Sequence, residues 1–307
     1  MKKAIFIVGP TATGKTDLAL KIYNQILVSP VKSGSVLISA DAVQVFRSAD
    51  IISGKDLDIL GDTPIENIDV VDPTDSFSIK DFKKKTELAI KEAQETDRLP
   101  IVVGGTGYYF DALFSSIDTL SIKPNKKLRK ELEEKSLEEL QKYLGGIDQA
   151  KLASMNNSDV NNKRRIIRAI EVIKLGVKKS YSPIFAKEDV LFIGLKMDRN
   201  KLKDKIKKRV EDRIKNGALD EARRLFVDYD KLSPQLKSAN GYKQLFSYLS
   251  GKINFEEAID RWVIADSQHA KKQMTWFRKN DQINWFDVGD KDFEKDVFRL
   301  VKKSFTI

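Results

Sequence analysis

This sequence predicts an α/β fold, a doubly wound parallel sheet interrupted once by a helical insertion. Three observations carry the prediction. Residues 3–8 (KAIFIV) form a short apolar run that stops at Gly9-Pro10, where a complete G-x-x-x-x-G-K-[ST] begins and runs to Thr16. Apolar segments of strand length then alternate with segments of helical periodicity. Between them, residues 121–187 break the alternation and show helical pattern alone.

The first run is rich in β-branched residues, as in a strand buried on both faces at the centre of a parallel sheet. After the loop, Leu18, Ala19, Ile22, Ile26 and Leu27 recur at helical spacing, so a helix packs back on that sheet. In this strand–loop–helix setting the motif is a phosphate cradle, and the fold class is P-loop NTPase-like. Gly9 and Gly14 permit backbone angles by which successive N–H groups curl around an anion. The helix N-terminus adds partial positive charge, Lys15 reaches over the phosphate oxygens, and the Thr16 hydroxyl is placed to ligate Mg²⁺. Whether the phosphate belongs to a nucleotide or to another diphosphate ester is left open by the loop.

Further strands are predicted at Ser35–Ser39 (SVLIS), Leu99–Val103 (LPIVV), 190–197 (VLFIGLKM) and 284–288 (NWFDV), with helices over Ile79–Glu95 and 202–226. Within 121–187 there is only helical pattern, punctuated by Gly145-Gly146, Asn156-Asn157 and Gly176. The organisation expected is a catalytic core of residues 1–120 and 188–307 carrying an insertion of residues 121–187.

At 307 residues the chain makes one large domain or two. No apolar run approaches the ~20 residues that span a bilayer. The first strand begins at once, so no signal peptide is expected. With no cysteine, disulfides, thiolate zinc sites and a cysteine nucleophile are excluded, and a cytoplasmic location is expected. One histidine, His269, cannot build a multi-histidine metal site and is expected to be a polar surface or core contact. The 55 basic residues exceed the 45 acidic ones, for a net charge of +10. Such an excess suits a polyanionic partner, with lysine-rich solubility as the plain alternative. The insertion contributes sixteen lysines and arginines against eight acidic residues, and so most of that charge.

Its densest stretch, NNKRRIIRAIEVIKLG, mixes Arg164, Arg165 and Arg168 with Ile166, Ile167 and Ile170. One side of such a helix packs while the other offers guanidinium groups to phosphates, or merely to water. Asp41 follows a buried strand, at the end that faces the ligand crevice of an open α/β sheet. A carboxylate there orders Mg²⁺, accepts a proton from a nucleophile, or caps a turn. The same geometry recurs in LPIVVGGTGYYF, where Thr106 sets a hydroxyl at the crevice and Tyr108, Tyr109 and Phe110 line a pocket or fill core. Arg209 and Arg213 lie four apart on one helix face, suited to clamping a diphosphate opposite Lys15 or to salt bridges within the helix. Lys271, Lys272, Arg278 and Lys279 interleave with Trp276 and Phe277, a pattern that suits RNA as well as an amphipathic helix end.

In order, GPTATGKT (9–16), SADAVQVF (39–46), GGTGYY (104–109), NNKRRIIRAIEV (161–172), RVEDRIKNGALDEARRL (209–225), GYKQ (241–244) and AKKQMTWFR (270–278) resemble the tRNA dimethylallyltransferases. The resemblance covers almost the whole chain. It implies transfer of the five-carbon group of dimethylallyl diphosphate to N6 of an adenosine beside the anticodon, with Mg²⁺ as cofactor and the tRNA anticodon stem-loop as partner. A monomer without membrane association is expected. By resemblance, Gly9, Thr11, Ala12, Thr13, Gly14, Lys15 and Thr16 grip the diphosphate, Thr16 helps hold Mg²⁺, and Arg213 with Arg209 steadies the leaving group. Asp41 is the general base. Asp41, Ala42, Val43, Gln44, Thr106, Arg164, Arg165, Ile166, Ile167, Arg168, Lys243, Lys271 and Lys272 contact the tRNA.

The chain departs from the family pattern at several places. The usual D-S-x-Q reads Asp41-Ala42-Val43-Gln44, and the usual I-G-T-A-K reads Ile51-Ile52-Ser53-Gly54-Lys55. The usual H-H-L-I-D reads Ile65-Glu66-Asn67-Ile68-Asp69, Asn162 replaces an aspartate, and Asp266-Ser267 replaces Thr-Arg. Three other activities remain compatible with the motifs: prenylation of a free adenine nucleotide, phosphoryl transfer by a phosphate-loop kinase, and RNA binding without catalysis. The basic insertion argues against the first, since a free nucleotide needs no cationic arm of that size.

Overall fold

The computed structural model of the chain describes residues 2–27, 33–115, 119, 122, 124–176 and 182–305. The chain separates into two compact units, residues 1–114 with 184–307, and residues 115–183. These breaks fall a few residues before those expected at 120/121 and 187/188. Ile184 and Phe185 both donate backbone N–H groups to the Leu113 carbonyl, at 2.8 and 3.3 Å, which ties the returning chain to the first unit. Of the expected insertion, residues 121, 123 and 177–181 lie outside the described residues.

In the larger unit, β1 (Ala4–Val8), β2 (Ser35–Ser39), β3 (Ile65–Glu66), β4 (Leu99–Val103), β5 (Val190–Lys196) and β6 (Asn284–Asp287) form one parallel sheet of order β3-β2-β4-β1-β5-β6. β1 is central, with Ile5 opposite Ile101 on β4 and Leu191 on β5. Alternation along the strands divides the apolar side chains between two cores. Phe6, Val8, Ile38, Val102 and Phe192 enter one, and Ile5, Ile7, Leu37, Ile101 and Ile193 the other. A strand buried on both faces shows no alternation in its sequence, which is why β1 and β4 read as unbroken apolar runs.

The second core is closed by α1 (Lys15–Leu27), through Leu18, Ile22 and Ile26. The short α2 (Leu57–Leu60) adds Leu60 to the same core. The first core is covered by α3 (Ile79–Glu95) and α4 (Gly107–Phe114), which contribute Phe82, Ile90, Phe110 and Leu113. The two-residue β3 has no counterpart in the sequence reading, because two residues are too few to carry a period.

The smaller unit is helical. It contains α5 (Lys126–Glu133), α6 (Leu137–Ile147), α7 (Gln149–Ser154), α8 (Asn157–Val160) and α9 (Lys163–Leu175). Leu132, Leu140, Leu144, Ile166, Ile167 and Ile170 form its own core. Gly145-Gly146, read as punctuation, lies inside α6: a capping box at Ser136 and burial of Leu140 and Leu144 carry the helix through the pair. Asn156 and Gly176 do mark ends, as the N-cap of α8 and the C-cap of α9.

After β5 come α10 (Arg199–Lys215), α11 (Ala218–Phe226), α12 (Pro234–Ser238), α13 (Tyr242–Leu249), α14 (Phe255–Phe277) and α15 (Phe293–Phe305). Val297, Val301 and Phe305 of α15 join the second core, whereas Val210, Leu225, Leu245 and Trp262 join the first. The single helix expected over 202–226 is therefore two. Gly217, at φ 98°, takes a left-handed conformation that stops α10 and lets α11 leave in a new direction. Among the described residues no helix is long and apolar enough to cross a membrane.

Candidate active site

β1, β2 and β4 are adjacent, so the loops leaving their carboxyl ends open into one crevice. The cleft encloses roughly 1050 Å³, and its walls include Thr11, Lys15, Thr16, Asp41, Arg209 and Arg213. Gly9 sits at φ 142°, and a Cβ there would stand 2.5 Å from the Leu195 carbonyl oxygen on β5. Only glycine lets the loop start so close to the sheet. Ala12 and Gly14 also have positive φ, which turns the loop around its centre.

Several polar groups of the loop are engaged by the protein itself. The Thr13 hydroxyl, buried, donates to the Pro10 carbonyl at 2.9 Å, so Thr13 shapes the loop from within and its side chain is not a ligand. Lys15 Nζ donates to the same carbonyl at 2.7 Å. The Thr11 hydroxyl accepts from Arg209 Nη1 at 2.5 Å, and the Thr11 N–H donates to Gln273 Oε1 at 2.9 Å. Thr16 makes no hydrogen bond through its hydroxyl among the described residues. No set of three His, Asp or Glu side chains suited to a metal occurs among them either. An Mg²⁺ site that uses one hydroxyl, phosphate oxygens and water needs no such set, and the free Thr16 hydroxyl fits it.

The cations are crowded. Burial, then the neighbouring Arg209, lowers Lys15 to about 8 against the opposing pull of Asp41 and Asp56. Burial and Arg209 likewise lower Arg213 to about 10, with Asp266 and Asp56 opposing. Arg213 remains charged at neutral pH, whereas Lys15 sits close enough to neutrality for a bound anion to change its charge. Arg209 has a carboxylate partner in Asp56 at 3.6 Å. Both guanidinium groups lie against Gly54: a Cβ added there would collide with Arg213 and stand 2.5 Å from Arg209 Nη2.

Asp41 does two of the things its position allows. Its Oδ1 accepts the N–H groups of Val43 and Gln44, at 2.8 and 3.3 Å, and closes the turn. Its carboxylate also lies in the cleft, close enough to Lys15 and His269 to act on their charges. His269 is exposed, as a polar surface residue is expected to be, and it also stands on the cleft wall. Desolvation by that wall lowers its pKa, with Asp41 and Asp266 opposing and Lys15 and Lys272 reinforcing the shift.

A model of the IPP transferase family matches residues 44–280. The chain belongs to that family. It is 36% identical over 310 residues to the tRNA dimethylallyltransferase of Halalkalibacterium halodurans, covering 97% of this chain and 95% of the relative. It is 39% identical over 301 residues to the tRNA dimethylallyltransferase of Limosilactobacillus reuteri, covering 94% of each. Among solved structures, the full-length tRNA isopentenylpyrophosphate transferase from Bacillus halodurans matches with a TM-score of 0.70 at 33% identity, over 100% of this chain and 97% of that one.

In this IPP transferase, the sequence-expected RNA contacts divide sharply. Val43 and Gln44 line the cleft, but Gln44 is held at both ends, accepting from Ser39 Oγ and donating to the Gly54 carbonyl at 2.7 Å each. The Ala42 carbonyl accepts from Gln235, and Thr106 stands at the start of α4. Ile166 and Ile167 are buried in the core of the smaller unit, which corrects their expected role: neither side chain reaches the surface. Arg168 is half-buried and engaged within its own unit. Its guanidinium donates to Glu171 and to the carbonyls of Thr119 and Ile122, at 2.6 and 3.0 Å for the latter two. Burial alone would raise the Glu171 pKa, but Arg129, the Asn125 N–H and Arg168 together hold it below the usual range. Arg165 pairs with Asp159. Arg164 is exposed and has no such partner among the described residues. Lys243, Lys271 and Lys272 are exposed and outside the cleft lining.

Tyr109 and Phe110 fill core, Tyr109 stacked on Phe82 at 4.1 Å, while Tyr108 is exposed. Sequence reasoning missed Gln273 and Glu221. Gln273 joins two loops of the cleft, taking the Thr11 N–H and donating to the Gly105 carbonyl at 3.0 Å. The signal was present: Ala270, Gln273 and Phe277 occupy one buried stripe of α14, and Ala218, Glu221, Ala222 and Leu225 one buried stripe of α11. A polar residue inside an apolar stripe must be answered by partners.

Proposed function

We propose that this IPP transferase moves the dimethylallyl group of dimethylallyl diphosphate to N6 of an adenosine beside the anticodon of tRNA. The observation that carries the reading is the joint opening of the phosphate loop, the Arg209–Arg213 pair and Asp41 into one cleft. As the allylic C–O bond breaks, the departing diphosphate takes the electron pair, and fixed positive charge from Lys15, Arg209 and Arg213 meets it. The N6–carbon bond forms, and the N6 proton passes to Asp41. The Thr16 hydroxyl would hold Mg²⁺, which would supply further charge neutralisation. The adenine leaves its stack to reach the cleft, at a cost of a few kcal/mol that a loop makes smaller. Arg164, Lys243, Lys271 and Lys272 offer phosphate contacts to the RNA. The protein acts as a monomer in the cytoplasm.

Incubation with radiolabelled dimethylallyl diphosphate, Mg²⁺ and an anticodon stem-loop tests this directly. Label on the adenosine, identified by mass spectrometry of the nucleosides, is the expected result. ATP-dependent phosphorylation with no response to the prenyl donor, or salt-sensitive RNA binding without product, would overturn it.

A further inference from the structure

Glu221 is almost wholly buried, at 1% exposure, and no lysine or arginine lies within ion-pair distance among the described residues. Its charge is met by four donors instead. Oε2 accepts the backbone N–H groups of Asp50 and Ile51 at 2.9 and 2.7 Å. Oε1 accepts the Ile52 N–H at 3.1 Å and the Tyr242 hydroxyl at 2.6 Å. Three successive amides turned toward one anion form a concave nest. Here the anion belongs to the protein and comes from a helix about 170 residues further along the chain.

The turn so anchored is the seat of the arginine pair. Gly54 N–H donates back to the Asp50 carbonyl at 3.1 Å, which closes the turn. The Gly54 carbonyl is held by Gln44, and the two guanidinium groups lie against the Gly54 Cα. Two residues further on, Asp56 faces Arg209. The break at Gly217 is what allows α10 to bring the arginines and α11 to bring Glu221 to the same turn. We propose that Glu221, steadied by Tyr242, is a positioning residue for the diphosphate clamp, anchoring the turn of residues 50–54 that fixes where Arg209 and Arg213 meet the leaving group. The inference rests on the prenyl-transfer reading above.

The test is a double-mutant cycle on the full chain, read out as pyrophosphate affinity by calorimetry, stem-loop affinity, and turnover. Glu221→Gln replaces an acceptor by an amide that confronts backbone N–H groups, and should weaken pyrophosphate binding and turnover about tenfold or more while leaving stem-loop affinity unchanged. Tyr242→Phe removes one donor from the same carboxylate and should cost a few-fold in the same two quantities. In an Arg213→Ala background both losses should shrink, because one of the two groups being positioned is gone; a merely structural role would persist there in full. Where Glu221→Gln does not fold, the Tyr242→Phe cycle decides. Losses that add fully to that of Arg213→Ala, or variants with wild-type pyrophosphate affinity, overturn the inference alone. A wild-type protein that neither binds pyrophosphate nor prenylates RNA overturns the prenyl-transfer reading and this inference with it.

Discussion

Asp41 joins a turn-closing oxygen and a cleft-facing carboxylate in one side chain, so substitution must separate the two. Asp41→Asn keeps an oxygen able to accept the Val43 and Gln44 N–H groups. We expect turnover to fall ~10²–10⁴-fold with RNA affinity nearly intact, as measured by single-turnover kinetics beside a binding titration. Wild-type turnover would remove Asp41 from the role of base. Lys15 gives a pH signature. In the free protein it loses its proton near 8, and a bound diphosphate favours the charged form. Pyrophosphate affinity should therefore be greatest below about 8 and decline as pH rises through that value. Titrations across this window check it, and Lys15→Met should flatten the decline. The sequence located both residues by motif and by position at a strand end. It did not reveal that Lys15 is crowded by Arg209, a residue far along the chain.

At the scale of elements, the break between α10 and α11 matters most. The apolar period of 202–226 is continuous enough to read as one helix, and a lone glycine inside a helical pattern is tolerated at a cost of ~1 kcal/mol. What decides the break is packing. Val210 and Leu225 enter the same core, and Glu221 must reach the 50–52 turn. Gly217→Ala forces a side chain onto a residue at φ 98°, where its nearest neighbour would be Ile51 Cδ1 at an unstrained 3.6 Å. The cost is therefore conformational, roughly 1–2 kcal/mol, and should appear as a Tm lower by a few degrees. A larger loss would point to packing instead. Strands β1, β2 and β4 were legible because their apolar runs are bounded by turn residues; the bonds of Gln273 were not, because its partners Thr11 and Gly105 lie in loops far along the chain.

The whole molecule divides its charge and its cores between two units. The smaller unit has its own apolar cluster and a buried carboxylate, Glu171, tied by Arg129 and Arg168. Arg164 and Arg168 should thus respond differently to substitution. Arg164→Ala is expected to weaken stem-loop binding and reduce the salt slope of log K by about 0.7–0.9, with thermal stability unchanged. Arg168→Ala leaves a buried carboxylate short of a donor and should chiefly destabilise the protein, by ~1–3 kcal/mol. Calorimetry and binding across a salt series tell the two apart. If Arg168→Ala changed the salt slope without touching stability, its internal assignment would be wrong.

By itself the sequence determined the fold class, the phosphate cradle, the basic insertion and the ordered motifs of a prenyltransferase, because strand and helix periods, turn residues and loop glycines are local properties of the chain. Only the tertiary structure decided which arginines hold the protein together and which face outward, that Ile166 and Ile167 are core, and that Glu221 and Gln273 anchor the loops of the cleft. These depend on pairings between residues far apart in the chain, and a buried polar group takes its role from the partners that folding brings to it.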